Sequence, residues 1–144
     1  MQPANIFVVD DDAVARELLA EALKKEGYAV EAFASGEEVI ARGRQGRVDL
    51  VLTDIRMGAV DGLTVLREFK RMSPDTAVVV LTSFGSLEGA IEAIKQGAYD
   101  YLAKPFKKED IKLVVKRSLD HCRLVRENAR FREELKSKDE WSPL

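Results

Sequence analysis

The stretch Ile6-Phe-Val-Val-Asp-Asp-Asp12 places four apolar residues directly before three acidic ones. Its apolar half shows no alternation of polar and apolar side chains, which is typical of a strand buried on both faces. Apolar residues at helical spacing follow, from Leu18 to Leu23, and Gly27 is well placed to end that helix. The opening of the chain therefore predicts a buried strand, an acidic turn and an amphipathic helix.

The same unit recurs four more times. Further strands are predicted over residues 29–33, 48–53, 77–81 and 98–103. Between them lie amphipathic stretches that predict helices. Ser35 and Glu38 stand at capping-box spacing and open one of them, and a helix over 62–72 is closed by Ser73-Pro-Asp75. Ser86 can cap a helix that ends at Gly97, and a last helix begins at about Lys108. Strand–helix alternation predicts a parallel sheet with helices on both faces, joined by right-handed crossovers.

Bulk properties narrow the class of protein. The 144 residues are 46% hydrophobic and 33% charged, which indicates a globular chain, and no apolar run reaches membrane-spanning length. The first residues do not resemble a signal peptide, so we expect a cytoplasmic protein with no membrane contact. Cys122 and His121 are the only cysteine and histidine, which excludes an intrachain disulfide and a zinc cage built from these residue types.

The ends of the strands carry the chemistry. In an open parallel sheet, ligands bind outside the carboxyl ends of the strands. Four of the predicted strands end there on acidic, hydroxyl or cationic residues: Asp10-Asp-Asp12, Asp54, Thr82-Ser83 and Lys104-Pro105. Crowded carboxylates repel each other unless a cation compensates, and a hard ion with oxygen ligands, Mg²⁺ above all, suits them. Asp12 has the alternative role of N-cap of the first helix.

A lysine and a hydroxyl at the same edge of the sheet supply the positive charge and the hydrogen-bond donor that the oxygens of a phosphoryl group need. The combination indicates phosphoryl transfer to a carboxylate, because aspartyl phosphates are an established covalent intermediate. Each member also has an ordinary structural explanation when it is taken alone. Asp54 could be a turn residue, Lys104 a loop charge, and Thr82 or Ser83 a residue at the start of a helix.

Taken together, the ordered residues resemble the receiver domain of two-component response regulators. The matching pieces are Val8-Val-Asp-Asp-Asp12, Asp54-Ile-Arg-Met57, Asp61-Gly62, Thr82-Ser83 and Lys104-Pro-Phe106, within about residues 5–121. No single piece is specific, but the set at these spacings is. The resemblance implies a flavodoxin-like (βα)5 fold with strand order 2-1-3-4-5, here with an extended C-terminal helix.

The resemblance also implies a role for each matching residue. Asp54 would accept a phosphoryl group from the phosphohistidine of a sensor kinase or phosphotransfer protein. Asp54, Asp11 and the backbone carbonyl of Arg56 would bind Mg²⁺ directly. Asp10 would bind it directly or through water. Lys104 and Thr82 would contact the phosphoryl oxygens, Tyr101 would swing inward as Thr82 moves, and Lys104-Pro105 would be a cis peptide. Slow self-catalysed loss of the phosphoryl group would complete the cycle.

One departure from the family pattern lies next to Asp54. Receivers commonly have Met-Pro where this chain has Met57-Gly58. Without the fixed φ of proline, the loop after Asp54 should be more mobile. We therefore expect altered phosphorylation kinetics or phosphoryl lifetime, with the site itself retained.

The charge balance changes near residue 116. Residues 1–115 have a net charge of −4, whereas residues 116–138 have +4. We divide the chain into a receiver (1–121), a helical linker (122–138), called the arm below, and a tail (139–144). The arm carries Leu124, Asn128, Phe131 and Leu135 at the spacing of a short coiled-coil seam, in which Asn128 could fix a parallel dimer. A solitary solvated helix or a fraying tail is the alternative.

The arm is similar to the linker helix of nitrogen-regulation and dicarboxylate-transport regulators. The similarity lies in Arg123-Leu-Val-Arg-Glu-Asn128 and Arg132-Glu-Glu-Leu135. In those regulators it leads to an ATPase domain that activates sigma-54 polymerase. This chain contains no P-loop pattern. It could belong to a longer regulator with downstream ATPase and DNA-binding domains, be a single-domain regulator, or be the receiver of a hybrid kinase.

Two other functions compete with the receiver hypothesis. A phosphatase with an aspartyl nucleophile usually has a second acid two residues after the nucleophile, but Arg56 occupies that position. The basic arm could instead bind nucleic acid. Its basic residues are interleaved with acids and Phe131 is its only aromatic residue, so we expect no direct nucleic-acid contact from this chain.

Overall fold

The computed structural model of the chain describes residues 3–83 and 87–140, with side chains up to residue 135. Strands and helices alternate as predicted: β1 (Asn5–Val9), α1 (Ala13–Lys25), β2 (Ala29–Phe33), α2 (Gly36–Gly43), β3 (Leu50–Asp54), α3 (Gly62–Met72), β4 (Ala77–Thr82), α4 (Leu87–Lys95), β5 (Asp100–Ala103) and α5 (Lys108–Glu140). The predicted cap at Ser86 lies outside the described residues.

The five strands form one parallel sheet in the order β2-β1-β3-β4-β5. This order confirms the predicted flavodoxin-like fold. The chain first moves outward from β1 to β2 and then returns to place β3 on the other side of β1. The carboxyl ends of β1, β3, β4 and β5 consequently follow one another along a single edge of the sheet, which is called the rim below.

Both faces of the sheet are covered because successive residues of a strand point to opposite sides. In β1, Phe7 and Val9 join a core under α2, α3 and α4, while Ile6 and Val8 join a second core under α1 and α5. All residues of β3 and β4 are buried. The unbroken apolar runs in the sequence follow from this two-sided burial.

Two strands begin two residues later than predicted. β3 begins at Leu50 instead of residue 48, and the Val48 carbonyl accepts a hydrogen bond from the Thr76 hydroxyl at 2.8 Å. β5 begins at Asp100 instead of residue 98, because the Ala98 N–H closes the end of α4 by donating to Ala93. Apolar character alone does not distinguish a residue that pairs within the sheet from a buried residue just before the strand.

The helix starts behave as their side chains predict. Asp12 is the N-cap of α1, and its carboxylate accepts the N–H of Val14 at 3.1 Å. Ser35 caps α2 by accepting the N–H of Glu38 at 3.3 Å. The Glu38 carboxylate reaches back to the N–H of Ala34, one residue before the one that a standard capping box would use.

The last helix, α5, is 33 residues long, or about 50 Å. Its buried stripe runs through Ile111, Val115 and Cys122. It continues without a break beyond the predicted boundary at 121 and into the predicted tail as far as Glu140. None of the helices in the described part of the chain is long and apolar enough to cross a membrane.

Candidate functional site

The rim brings the chemistry-bearing strand ends together. Val9 pairs with Thr53, Asp54 with Leu81, and Thr82 with Ala103 in the sheet register. The residues that follow β1 and β5, and those that end β3 and β4, therefore lie side by side. Strand pairing over residues far apart in the chain creates this site.

Three carboxylates form an acidic cluster on the rim. One oxygen from each of Asp10, Asp11 and Asp54 lies within 4.8 Å of the other two. Asp10 and Asp54 are buried, whereas Asp11 is exposed. An all-oxygen donor set that is closed on one side and open to water on the other fits Mg²⁺, which keeps several of its waters in protein sites.

Hydrogen bonds at the end of β1 hold the loop that carries two of these carboxylates. The Asp12 N–H donates to Asp10 Oδ1 at 3.0 Å. The guanidinium of Arg16, one turn into α1, donates to the Asp10 carbonyl at 2.8 Å. Asp12 is not in the acidic cluster, because its carboxylate caps α1 instead.

Lys104 partly compensates the acidic cluster. Its ammonium lies 2.7 Å from Asp10 Oδ2 as an ion pair, and it donates a hydrogen bond to Asp54 Oδ2 at 3.2 Å. Burial alone would lower the pKa of Lys104, but its contacts with Asp10 and Asp54 outweigh burial and raise this pKa. Lys104 is therefore held in its charged form.

The fold compensates the charge of Asp54 only in part. Burial and then the neighbouring charge of Asp10 raise the pKa of Asp54 from 3.8 to about 6, and the opposing effect of Lys104 is smaller. One ammonium shared between two buried carboxylates leaves negative charge uncompensated. A cation bound at the acidic cluster would relieve this excess charge.

The backbone of Asp54 is packed tightly against the start of α3. A Cβ at Gly62 would lie 2.2 Å from the Asp54 carbonyl oxygen, so only glycine fits there. The Gly62 N–H donates to the Ile55 carbonyl at 2.8 Å. Asp61 caps the same helix by accepting the N–H of Thr64 at 2.9 Å. The Asp61-Gly62 pair thus fixes the loop that follows Asp54.

The remaining residues of the loop after Asp54 are more open. The Arg56 side chain is exposed, and its N–H donates to Asp54 Oδ1 at 3.3 Å. Its carbonyl as a metal ligand stays a prediction. Gly58 is exposed, has no positive φ, and would offer a Cβ open space. Its effect on phosphorylation kinetics is likewise untested.

The predicted switch residues lie on β4 and β5, the two strands that follow β3 in the sheet order. Thr82 is buried at the end of β4, and its carbonyl accepts the N–H of Lys104 at 2.8 Å. Tyr101, on β5, is 40% exposed, so its ring is in an outward position. The Lys104–Pro105 peptide bond is cis.

A polar network at the opposite end of the sheet was not predicted from the sequence. Arg126 of α5 contacts both Asp49, before β3, and Asp75, before β4. A signal for it exists in the spacing: Arg126 follows the buried Cys122 by four residues and continues the docking stripe of α5. The aspartate partners are far away in sequence and carry no comparable signal.

The fold and the rim define a receiver of the kind found in two-component signalling. The family model of the response regulator receiver domain matches residues 6–116. The chain therefore belongs to the response regulator receiver family.

The relatives of this chain include transcriptional regulators. It is 34% identical over 140 residues, 97% of its length, to the C4-dicarboxylate transport transcriptional regulatory protein DctD of Rhizobium meliloti. It is 38% identical over 121 residues, 84% of its length, to the DNA-binding transcriptional regulator NtrC of Salmonella typhimurium. The chain spans only 30% and 26% of these two relatives.

Solved structures show the same fold. NtrX from Brucella abortus, in complex with ADP, superimposes with a TM-score of 0.85 at 35% identity, covering 89% of this chain and 30% of NtrX. The isolated receiver domain of NtrX superimposes with a TM-score of 0.77 at 36% identity, covering 80% of this chain and 98% of that domain.

Proposed function

We propose that this receiver is a phosphorylatable switch in which Asp54 accepts a phosphoryl group from a phosphohistidine. The donor is a sensor histidine kinase or a phosphotransfer protein in the cytoplasm. The observation that carries the proposal is the position of the Asp54 carboxylate, which clusters with Asp10 and Asp11 and accepts a hydrogen bond from Lys104.

The chemistry follows from these neighbours. A carboxylate oxygen of Asp54 attacks phosphorus, the phosphorus–nitrogen bond breaks, and the imidazole leaves with the electron pair. The ammonium of Lys104, 3.2 Å from Asp54 Oδ2, stabilises the negative charge that develops on the phosphoryl oxygens. Burial of Asp54 keeps water from competing for these contacts.

The carboxylates of Asp10, Asp11 and Asp54 would hold Mg²⁺, with the Arg56 carbonyl as the further ligand implied by the family. The ion, when bound, neutralises charge on the phosphoryl group. The chain's own residues keep the group in place: Lys104 pairs with one phosphoryl oxygen and Thr82 with another. The movement of Thr82 would make room for the Tyr101 ring, which is now exposed.

Incubation with acetyl phosphate and Mg²⁺, followed by intact-mass spectrometry, tests the proposal. We expect one phosphoryl group per chain, no label on Asp54→Asn, and slower labelling of Lys104→Met. Asp110→Asn is the matched control, because Asp110 is an exposed acid in the first turn of α5. Labelling of Asp54→Asn at the wild-type rate would contradict the assignment.

The same experiment separates a switch from a phosphatase. A receiver takes up one equivalent and loses it slowly, whereas a phosphatase would consume acetyl phosphate over many rapid turnovers. The exposed Arg56, two residues after Asp54, cannot protonate a leaving group as a carboxylic acid would. Rapid multiple turnover would overturn the proposal.

The output of the switch is proposed to pass through the arm. Its apolar residues Leu124, Phe131 and Leu135 are 54%, 63% and 61% exposed, and Asn128 is exposed between them. A second copy of the chain is the occupant that fits, because a coiled-coil seam packs against its own equivalent. The paired arms would then act on ATPase and DNA-binding domains of the sigma-54 activator type.

A further inference from the structure

Arg126 joins the arm to the base of the receiver, at the amino ends of the strands. Its Nε lies 2.7 Å from Asp75 Oδ2, its Nη1 is hydrogen-bonded to Asp49 Oδ1, and its Nη2 donates to the Val48 carbonyl at 3.2 Å. All of its partners precede Arg126 by 51 to 78 residues. These contacts are called the Arg126 clamp below.

The partners in the clamp are themselves held in place. Asp49 also accepts the N–H of Asn5 at 2.7 Å, and Asp75 also accepts the Ser73 hydroxyl at 3.0 Å. The Ser73 hydroxyl lies 2.7 Å from that of Thr76. The clamp therefore links α5 to the start of β1, to the segment just before β3 and to the turn before β4, all at the base of the sheet.

The clamp differs from the other ion pairs of the arm. The Arg126 side chain is 24% exposed, and both of its acidic partners are about as shielded. Arg123, by contrast, is 67% exposed and pairs only with Asp120 on its own helix. An exposed pair within one helix contributes little, whereas a planar guanidinium shared between two shielded carboxylates fixes geometry.

The clamp and the coiled-coil seam lie on opposite sides of the arm. A helix turns about 100° per residue, which places the four seam residues about 140–180° around the helix from Arg126. They are Leu124, Asn128, Phe131 and Leu135. The side of α5 that faces the receiver base carries the clamp, and the opposite side carries the seam.

We infer that Arg126 is a positioning residue that makes the first turns of the arm part of the receiver body, and that it thereby decides which face of the arm a second copy can meet. The inference deepens the proposed pairing of the arms. Its first half concerns one unphosphorylated chain and can be tested without pairing. An arm released from the clamp would bend and fray beyond the last turn docked at Cys122.

Distances between spin labels test the inference. Gln45→Cys on the receiver and Arg132→Cys on the arm supply two exposed attachment sites, with Cys122→Ala in every variant to remove the native thiol. Double electron–electron resonance measures the distance between the two labels in unphosphorylated protein diluted with an excess of unlabelled chain. We expect a single narrow distance with Arg126 present and a broad distribution in Arg126→Met.

Arg123→Met is the matched control and should retain the narrow distance. Asp75→Asn, which removes one carboxylate and leaves the arginine intact, should broaden the distribution less than Arg126→Met; it also serves if Arg126→Met does not fold. A narrow, unshifted distance in Arg126→Met would overturn the inference. If Arg126→Met does not fold, the same result in Asp75→Asn would overturn it. Failure of phosphorylation or of pairing would leave this result unaffected, so the two proposals fail separately.

Discussion

At the scale of single residues, the site is governed by charge that the sheet forces together. Asp54 and Asp10 are buried at the ends of neighbouring strands, and Lys104 pairs with both of them. The fold therefore carries an electrostatic penalty at Asp54. A cation bound at the acidic cluster would relieve that penalty.

The penalty predicts a pH-dependent effect of Asp54→Asn. The pKa of Asp54 is about 6 in the folded chain against 3.8 as its ordinary value. Between these values the folded state binds more protons, so the stability of the wild type falls as pH rises. Without Mg²⁺ at pH 7.5, Asp54→Asn should therefore be more stable than the wild type by about 1–2 kcal/mol.

Urea denaturation of both proteins from pH 4 to 8 measures this difference. It should shrink towards pH 4, where the wild-type carboxyl is protonated, and added Mg²⁺ should reduce it at pH 7.5. Asp110→Asn serves as the control for removal of an exposed carboxylate outside the acidic cluster. An Asp54→Asn protein less stable than the wild type at pH 7.5 would show that Lys104 compensates Asp54 fully.

Two glycines near Asp54 should respond differently to alanine. At Gly62 a Cβ would meet the Asp54 carbonyl at 2.2 Å, so Gly62→Ala must displace backbone and should cost about 2–3 kcal/mol. At Gly58 a Cβ would meet nothing within 4 Å, so Gly58→Ala should change stability by less than about 0.5 kcal/mol. Chemical denaturation compares them, and equal losses would refute the close-approach explanation.

At the scale of elements, the start of α1 gives Asp12 a structural role that Asp10 and Asp11 do not have. Asp12 caps the helix through Val14, outside the acidic cluster. Asp12→Ala should therefore lower stability by about 1 kcal/mol, while Asp12→Asn, which can still accept that hydrogen bond, should not. Calorimetric titration with Mg²⁺ should show binding in both variants, and loss of binding in Asp12→Asn would make Asp12 a metal ligand.

The strands and helices illustrate what local patterns can predict. The bounds of β2 and α3 agree with the sequence prediction, because turn residues and apolar periodicity delimit them on both sides. The start of β3 was wrong by two residues. Val48 is apolar and buried like a ladder residue, but its carbonyl pairs with Thr76 and Arg126. Such pairing depends on chain segments that arrive from elsewhere.

At the scale of the whole molecule, we propose that phosphorylation changes the assembly of the chain through the arm. We expect sedimentation velocity to show a shift in self-association when beryllofluoride, a phosphoryl mimic, is added with Mg²⁺. Phe131→Glu should abolish the shift, because it places charge on the apolar seam. Arg132→Glu, which changes charge beside the seam, is the control, and an unchanged monomer in both states would refute switching through the arm.

The sequence by itself determined the fold class and most of the rim. Buried strands, their acidic or cationic ends and the amphipathic helices between them are local signals, and parallel pairing brings all the carboxyl ends to one edge. Only the tertiary structure decided how Lys104 is shared between Asp10 and Asp54, why Gly62 must lack a side chain, and how Arg126 fastens the arm to Asp49 and Asp75. Each of these depends on contacts between segments that are far apart in sequence. Residue spacing along the chain does not reveal how close such segments lie in space.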